Sequence, residues 1–244
     1  MRLLTLVYGF TAYLVGLSGL TYFFLFMGGW SFLPVHIDSG DSGNPLTALL
    51  INLGLILLFA VQHSFMARDG FKQALKKLLP AAAERSTYVL LSGAVTWLIC
   101  LCWQPFAGTV WNIENEILQV VLVALQLLGW ATAVASTFAI NHFDLMGLQQ
   151  VYLNYTRRPE PSPRFAERFM YRVVRHPIQL GILVGMWSTP WMSLTHLLLS
   201  ASMTCYILVG LYFEERDLVA ALGDDYRQYR RRVPKLIPLP RLKN

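Results

Sequence analysis

Apolar residues fall in long uninterrupted runs along this chain, at 3–27, 46–66, 87–104 and 117–140, and polar residues collect between them. A hydrocarbon core of ~30 Å takes about 20 helical residues, so each run has the length of one membrane crossing. The apolar stretch from Ile178 to Phe213 is too long for one crossing, and "STPWMS" at 188–193 divides it in two. The pattern therefore predicts an all-α fold, a polytopic membrane helix bundle of about six transmembrane helices. Beyond it, "EERDLVAALGDDYRQYRRRVPKLIPLP" predicts a short C-terminal interfacial helix stopped by Pro234, Pro238 and Pro240. Tyr226, Tyr229 and Val233 share one face of that helix, with Arg227, Arg230 and Arg231 pointing elsewhere, toward lipid headgroups.

Composition agrees with lipid as the main solvent: 55% of the 244 residues are hydrophobic and only 14% are charged. The first run is longer than a secretory signal core, has only Arg2 ahead of it and shows no small-residue cleavage pattern before Gly28 and Gly29, so it reads as a span. Charge then orients the bundle. With the N-terminus inside, all 20 basic residues fall on inner segments, and the outer loops 28–45 and 105–116 hold Asp38, Asp41, Glu114 and Glu116. Both termini are thus expected on the cytoplasmic side. The net charge of +6 is a topology signal suited to anionic lipids, and no nucleic-acid partner is expected. Cys100, Cys102 and Cys205 all lie inside predicted spans, so neither a disulfide nor a metal site is expected.

Several polar groups stand where an apolar environment makes them costly. Asn52 and His63 are 11 residues apart, within about 20° of one helix face and roughly 16 Å apart along it. Asn52 suits a hydrogen bond to another helix, while His63 is either a partly wet interfacial side chain or a functional one. Asn141, His142 and Asp144 close the fourth span, where a histidine near a carboxylate can act as a general base or merely cap a helix. The long inner connection 141–177 follows, broken by Pro159, Pro161 and Pro163. Glu214 and Glu215 meet the cytoplasm side by side and diverge by about 100° on a helix, so one can face the bundle and the other solvent. Their partner is either an arginine such as Arg175 or Arg216, or a cationic or diol-bearing ligand.

In "YRVVRHPIQLG", Tyr171 to Gly181, Pro177 disfavours helix at His176 and suits the first turn of a helix beginning there. His176 is then the last extended residue, with free amide donors nearby. Gly181 removes a side chain one turn in, where a ligand or another backbone can come close. Arg172 and Arg175 serve either this wall or the inner membrane face.

"RHPIQLG", followed about thirty residues on by "EERDL" and then "YRQYRRRVPKLIP", resembles the C-terminal signature of integral-membrane methyltransferases related to isoprenylcysteine carboxyl methyltransferase and phospholipid N-methyltransferase. With "QHSFMAR" (62–68), "ERSTYVLLS" (84–92), "STFAINHFDLMGLQQVY" (136–152) and "FEERDLVAALGDDY" (213–226), most of the chain resembles the bacterial methanethiol S-methyltransferase family. The resemblance implies one integral-membrane methyltransferase domain over 1–244, with a four-helix part at 1–140 and a cofactor-binding part at 141–244. It implies S-adenosyl-L-methionine as cofactor, S-adenosyl-L-homocysteine as product, and a small thiol, methanethiol, as substrate methylated to dimethyl sulfide at the cytoplasmic side of a bacterial inner membrane. The alternatives are a larger lipidic thiol, amine or carboxylate as acceptor, or a non-catalytic membrane protein of the same fold. Cofactor contacts are implied for Arg175, His176, Pro177, Gln179, Leu180, Gly181, Glu214, Glu215, Tyr226 and Tyr229. The wider superfamily often has Tyr where this chain has Gln179, which removes an aromatic contact there. For the thiol proton, His142 with Asp144 is the first candidate and His63 the second. No feature of the sequence speaks to oligomeric state.

Overall fold

The computed structural model describes residues 1–161 and 167–238. Its helices are α1 (Arg2–Met27), α2 (Pro45–Met66), α3 (Asp69–Leu78), α4 (Glu84–Cys102), α5 (Glu116–Ile140), α6 (His142–Leu145), α7 (Leu148–Thr156), α8 (Pro177–Trp187), α9 (Leu194–Leu222) and α10 (Asp224–Arg232). Two short strands, β1 (Thr109–Asn112) and β2 (Trp191–Ser193), pair with each other. Among the described residues five helical segments are long and apolar enough to cross a membrane: α1, α2, Ala81–Cys102 around α4, α5 and α9. Helix starts follow local chemistry. The Asn44 side chain accepts from the amides of Leu46 and Thr47 ahead of α2, with Pro45 in the first turn, and Asn115 accepts from Leu118 at the start of α5.

The chain divides into two compact units. The first comprises Met1–Val110, His142–Ser162 and Met192–Leu199, and the second Trp111–Asn141, Pro163–Trp191 and Ser200–Asn244.

In the first unit α1 and α4 run parallel. Tyr8 Oη lies 2.8 Å from Thr87 Oγ1, and further along both helices Trp97 Nε1 donates to Ser18 Oγ at 3.2 Å. Glycine lets the two backbones touch, since a Cβ on Gly93 would sit 2.7 Å from Gly16 Cα. Helix α2 is antiparallel to α4. Asn52 makes the expected interhelical bond: its Nδ2 donates to Gln104 O at 2.8 Å and its Oδ1 accepts from Gln104 N at 2.9 Å, just past the end of α4. At the opposite end His63 meets Tyr88. Gly147, at φ 77°, turns the chain from α6 into α7, and any side chain there would strike Ser86 N at 2.7 Å.

In the second unit α5 and α8 pack antiparallel through glycine. A Cβ on Gly181 would lie 2.5 Å from both Ala133 N and Gly129 O, and one on Gly129 would lie 2.6 Å from Gly185 N. Gln126 Nε2 adds a bond to Gly185 O at 3.2 Å. The expected set of about six helices is met among the described residues by five long apolar helices and one shorter one. The shorter one, α8, has 11 residues, roughly 16 Å of rise and about half a span. It stops because Thr189 precedes Pro190 and so disfavours helix. The chain continues extended to β2, its backbone satisfied by Trp111 Nε1 donating to Thr189 O at 3.0 Å and by Ile113 N donating to Pro190 O at 3.0 Å. Helix α10 buries Tyr226 and Tyr229 with Val233, against Leu218, Val219 and Leu222, which is the predicted shared face.

Candidate active site

The start of α8 and the C-terminal part of α9 build one ionic cluster in the second unit. Pro177 occupies the first turn of α8 and His176 is its N-cap, as the Arg-His-Pro order predicts. The following segment, Val233–Pro234–Lys235, lies alongside: Arg175 N donates to Pro234 O at 2.9 Å and His176 N to Lys235 O at 3.2 Å. Arg175 is 7% exposed and spends its guanidinium internally. Its Nε and Nη2 reach Glu215 Oε1 at 2.7 and 2.6 Å, while Nη1 donates to Arg230 O at 3.0 Å and Val233 O at 2.6 Å. Such a pairing is what a buried guanidinium requires.

The two adjacent carboxylates therefore have different work. Glu215, 6% exposed, is held by Arg175, by His176 Nε2 at 3.2 Å and by Arg230 Nε at 3.7 Å. The Glu214 side chain is 47% exposed, with His176 Nδ1 at 3.9 Å from its Oε2. Of the two, Glu214 is the one with room to bind. Arg230, expected to point to headgroups, instead leans on Glu215. Burial holds the His176 imidazole below its ordinary value, against the pull of Glu215 and with a smaller push from Arg175 and Lys235. It is therefore neutral at neutral pH. Tyr229 Oη donates to Tyr171 O at 2.6 Å, fixing α10 to the residues before α8. Burial, then the Glu215 charge, pushes the Tyr226 phenol up to about 12, so it remains protonated.

At two positions the structure shows which of the expected neighbours is present. Gly181 faces the backbone of α5, so its missing side chain serves helix packing. Arg175 is likewise taken up by protein acceptors. Gln179 and Leu180 are half-buried in the first turn of α8, and Pro177 is buried.

The candidate bases lie in the first unit. His142, 5% exposed, follows the break at Asn141; its Nε2 is 3.1 Å from Tyr13 Oη, and burial keeps its ring below the ordinary value. Asp144 is exposed, and its Oδ1 accepts from Gln150 Nε2 at 3.1 Å and from Gln149 Nε2 at 3.4 Å. His63 Nε2 is 2.7 Å from Tyr88 Oη and its Nδ1 3.3 Å from Ser92 Oγ, with Phe59 stacked on the ring and Arg85 5.0 Å above the Tyr88 ring. Tyr13, Tyr88 and Ser92 were not singled out in the sequence. Tyr88 and Ser92 fall inside "ERSTYVLLS", and Tyr13 is a polar group within a span, which is the signal that could have flagged it.

Five helices among the described residues that are long and apolar enough to cross a membrane, with a charged cluster in the last of them, define a polytopic helical protein of the membrane. The NnrU protein family matches residues 50–233. A methanethiol S-methyltransferase of Mycobacterium tuberculosis is 46% identical over 98% of this chain and 98% of its own length, and one of Crocosphaera subtropica is 43% identical over 97% and 92%. Nurim of Bos taurus is 28% identical over 71% of this chain and 69% of its own. No solved structure matches. The chain belongs to the NnrU protein family and, within it, to the methanethiol S-methyltransferases.

Proposed function

We propose that the protein methylates methanethiol to dimethyl sulfide with S-adenosyl-L-methionine as methyl donor, at the cytoplasmic side of a bacterial inner membrane. The observation that carries this is the division of labour at Glu214 and Glu215, in a chain aligned almost end to end with relatives named for that reaction. The donor set suits the cofactor: a half-exposed carboxylate at Glu214, a neutral imidazole at His176, and the amides of Ile178 and Gln179 in the first turn of α8. Glu214, His176 and the first turn of α8 would hold it, with Tyr226 and Tyr229 keeping α10 in place. When bound, it would supply an electrophilic methyl carbon to the thiolate, with S-adenosyl-L-homocysteine as the leaving product.

The protein's own task is to orient, to exclude water and to take the thiol proton. A thiol is a poor nucleophile until deprotonated, and a dry site opposes the thiolate. His142, neutral and hydrogen-bonded to Tyr13, is the proposed acceptor; His63, bonded to Tyr88, is the second. The confinement of basic residues to one set of loops supports cytoplasmic termini and contact of the tail with anionic lipid.

The test is purified protein in lipid nanodiscs with S-adenosyl-L-methionine and a graded series of thiols, reading volatile sulfides and S-adenosyl-L-homocysteine together. Stoichiometric dimethyl sulfide and S-adenosyl-L-homocysteine from methanethiol is the expected result. Methylation of only larger lipidic acceptors, or of none, overturns the assignment.

A further inference from the structure

Lys235 has no place in the mechanism above, yet the fold brings it to the same cluster. Its carbonyl accepts from His176 N at 3.2 Å, and the His176 ring Nδ1 lies 3.9 Å from Glu214 Oε2. The side chain is half-buried, and its positive charge is felt at His176. The other cations of the cluster are committed: Arg175 to Glu215 and two carbonyls, Arg230 to Glu215. Among the described residues Lys235 enters no ion pair. A lysine half-removed from water beside an exposed carboxylate and a neutral histidine suits a ligand that brings both signs of charge.

We propose that Lys235 and Glu214 together read the zwitterionic amino-acid end of the cofactor, Lys235 taking its carboxylate and Glu214 its ammonium. The assignment rests on the methyl-donor reading and adds to it a residue and a division of roles. The hydrogen bond from His176 N to Lys235 O fixes the lysine backbone beside the cluster, and its charge also acts on Glu214. The first-turn amides of α8 lie beside the cluster as further donors to a carboxylate.

Equilibrium binding to the full-length protein in nanodiscs tests it with two probes. S-adenosyl-L-homocysteine carries the amino-acid end; 5′-methylthioadenosine has the same nucleoside and thioether without it. The parent is expected to prefer the former. Lys235→Met should weaken S-adenosyl-L-homocysteine by about tenfold and leave 5′-methylthioadenosine unchanged, and Lys235→Arg should restore most of the loss. Glu214→Gln should show the same selectivity. Equal weakening of both probes by Lys235→Met, or no weakening, overturns the assignment and leaves the lysine a structural or headgroup-binding role. Equal weakening by Glu214→Gln would place that carboxylate on the ribose and break the proposed pair. A parent that binds neither probe fails earlier, at the methyl-donor reading itself.

Discussion

Arg175 Nη2 stands 2.6 Å from Glu215 Oε1, and both side chains are nearly buried, at 5% and 9% exposure. The pair ties the start of α8 to the C-terminal part of α9, and it leaves Glu214 facing outward one residue away. Adjacent carboxylates should therefore respond differently to the same change. Glu215→Gln strips a buried guanidinium of its counter-charge and should cost about 3–5 kcal/mol of stability, whereas the double variant Arg175→Met/Glu215→Leu should cost much less. Glu214→Gln should leave stability within about 0.5 kcal/mol and weaken S-adenosyl-L-methionine by roughly tenfold. Thermal melting and cofactor titration on the three variants decide it, and indistinguishable single variants would contradict the division of roles.

The glycine contacts of α5 and α8 predict a stability effect without a ligand. Gly181→Ala would drive a Cβ to 2.5 Å from two backbone atoms of α5, neither of which can rotate away. The helices must part, at a cost of about 1–3 kcal/mol. Gly210→Ala, in α9 with nothing within 4 Å, is the matched control, and should gain about 0.5–1 kcal/mol from helix propensity. A Gly181→Ala protein as stable as the parent would show that the two helices do not touch there.

Much of this was legible because lipid imposes a coarse rule. Apolar runs predicted α1, α2, α4, α5 and α9 to within a few residues at most ends, although α9 runs on to Leu222 past the predicted end at Phe213. Pro177 fixed the start of α8, since its ring chemistry is local. The break at 188–193 likewise set the end of α8 at Trp187, leaving it about half the length of a full crossing. Side-chain pairing was legible only as alternatives: Arg175 was one of two arginines named for the Glu214–Glu215 pair, and Tyr13 was not named for His142. Arg175 is 40 residues from Glu215, and Tyr13 is 129 from His142; a single sequence carries the candidates but no distances. Gly181 left two occupants open, and only packing decides between a ligand and the backbone of α5.

Histidine burial predicts acid sensitivity. His176 and His142 both have values lowered from the ordinary 6.5, chiefly by burial. Below that value the unfolded chain takes up the proton first, so their contribution is complete above about pH 6.5 and is lost as pH falls toward the lowered folded values. The melting temperature should drop between pH 7.5 and 5.5. His176→Gln should flatten part of that slope, and an unchanged slope would mean that His176 is not buried in its neutral form.

Charge placement predicts sidedness. On a background lacking Cys100, Cys102 and Cys205, Ser42→Cys should react with an impermeant thiol reagent in intact cells, and Gln73→Cys in α3 only after permeabilisation. The reverse pattern would invert the proposed topology.

The proton acceptor predicts a dependence on thiol acidity. If His142 takes the proton, His142→Ala should keep its affinity for S-adenosyl-L-methionine and lose turnover with methanethiol by about 10²- to 10⁴-fold. Activity should partly return as pH rises, because hydroxide then supplies more thiolate. A more acidic aromatic thiol, where it fits, should be hurt less, since it arrives already ionised. Tyr13→Phe removes the hydroxyl bonded to His142 Nε2 and should shift the pH profile more than the limiting rate. A histidine that only caps the break after α5 would show equal losses across the thiol series. That result would move the assignment to His63, for which Tyr88→Phe, removing the hydroxyl 2.7 Å from its Nε2, is the corresponding variant.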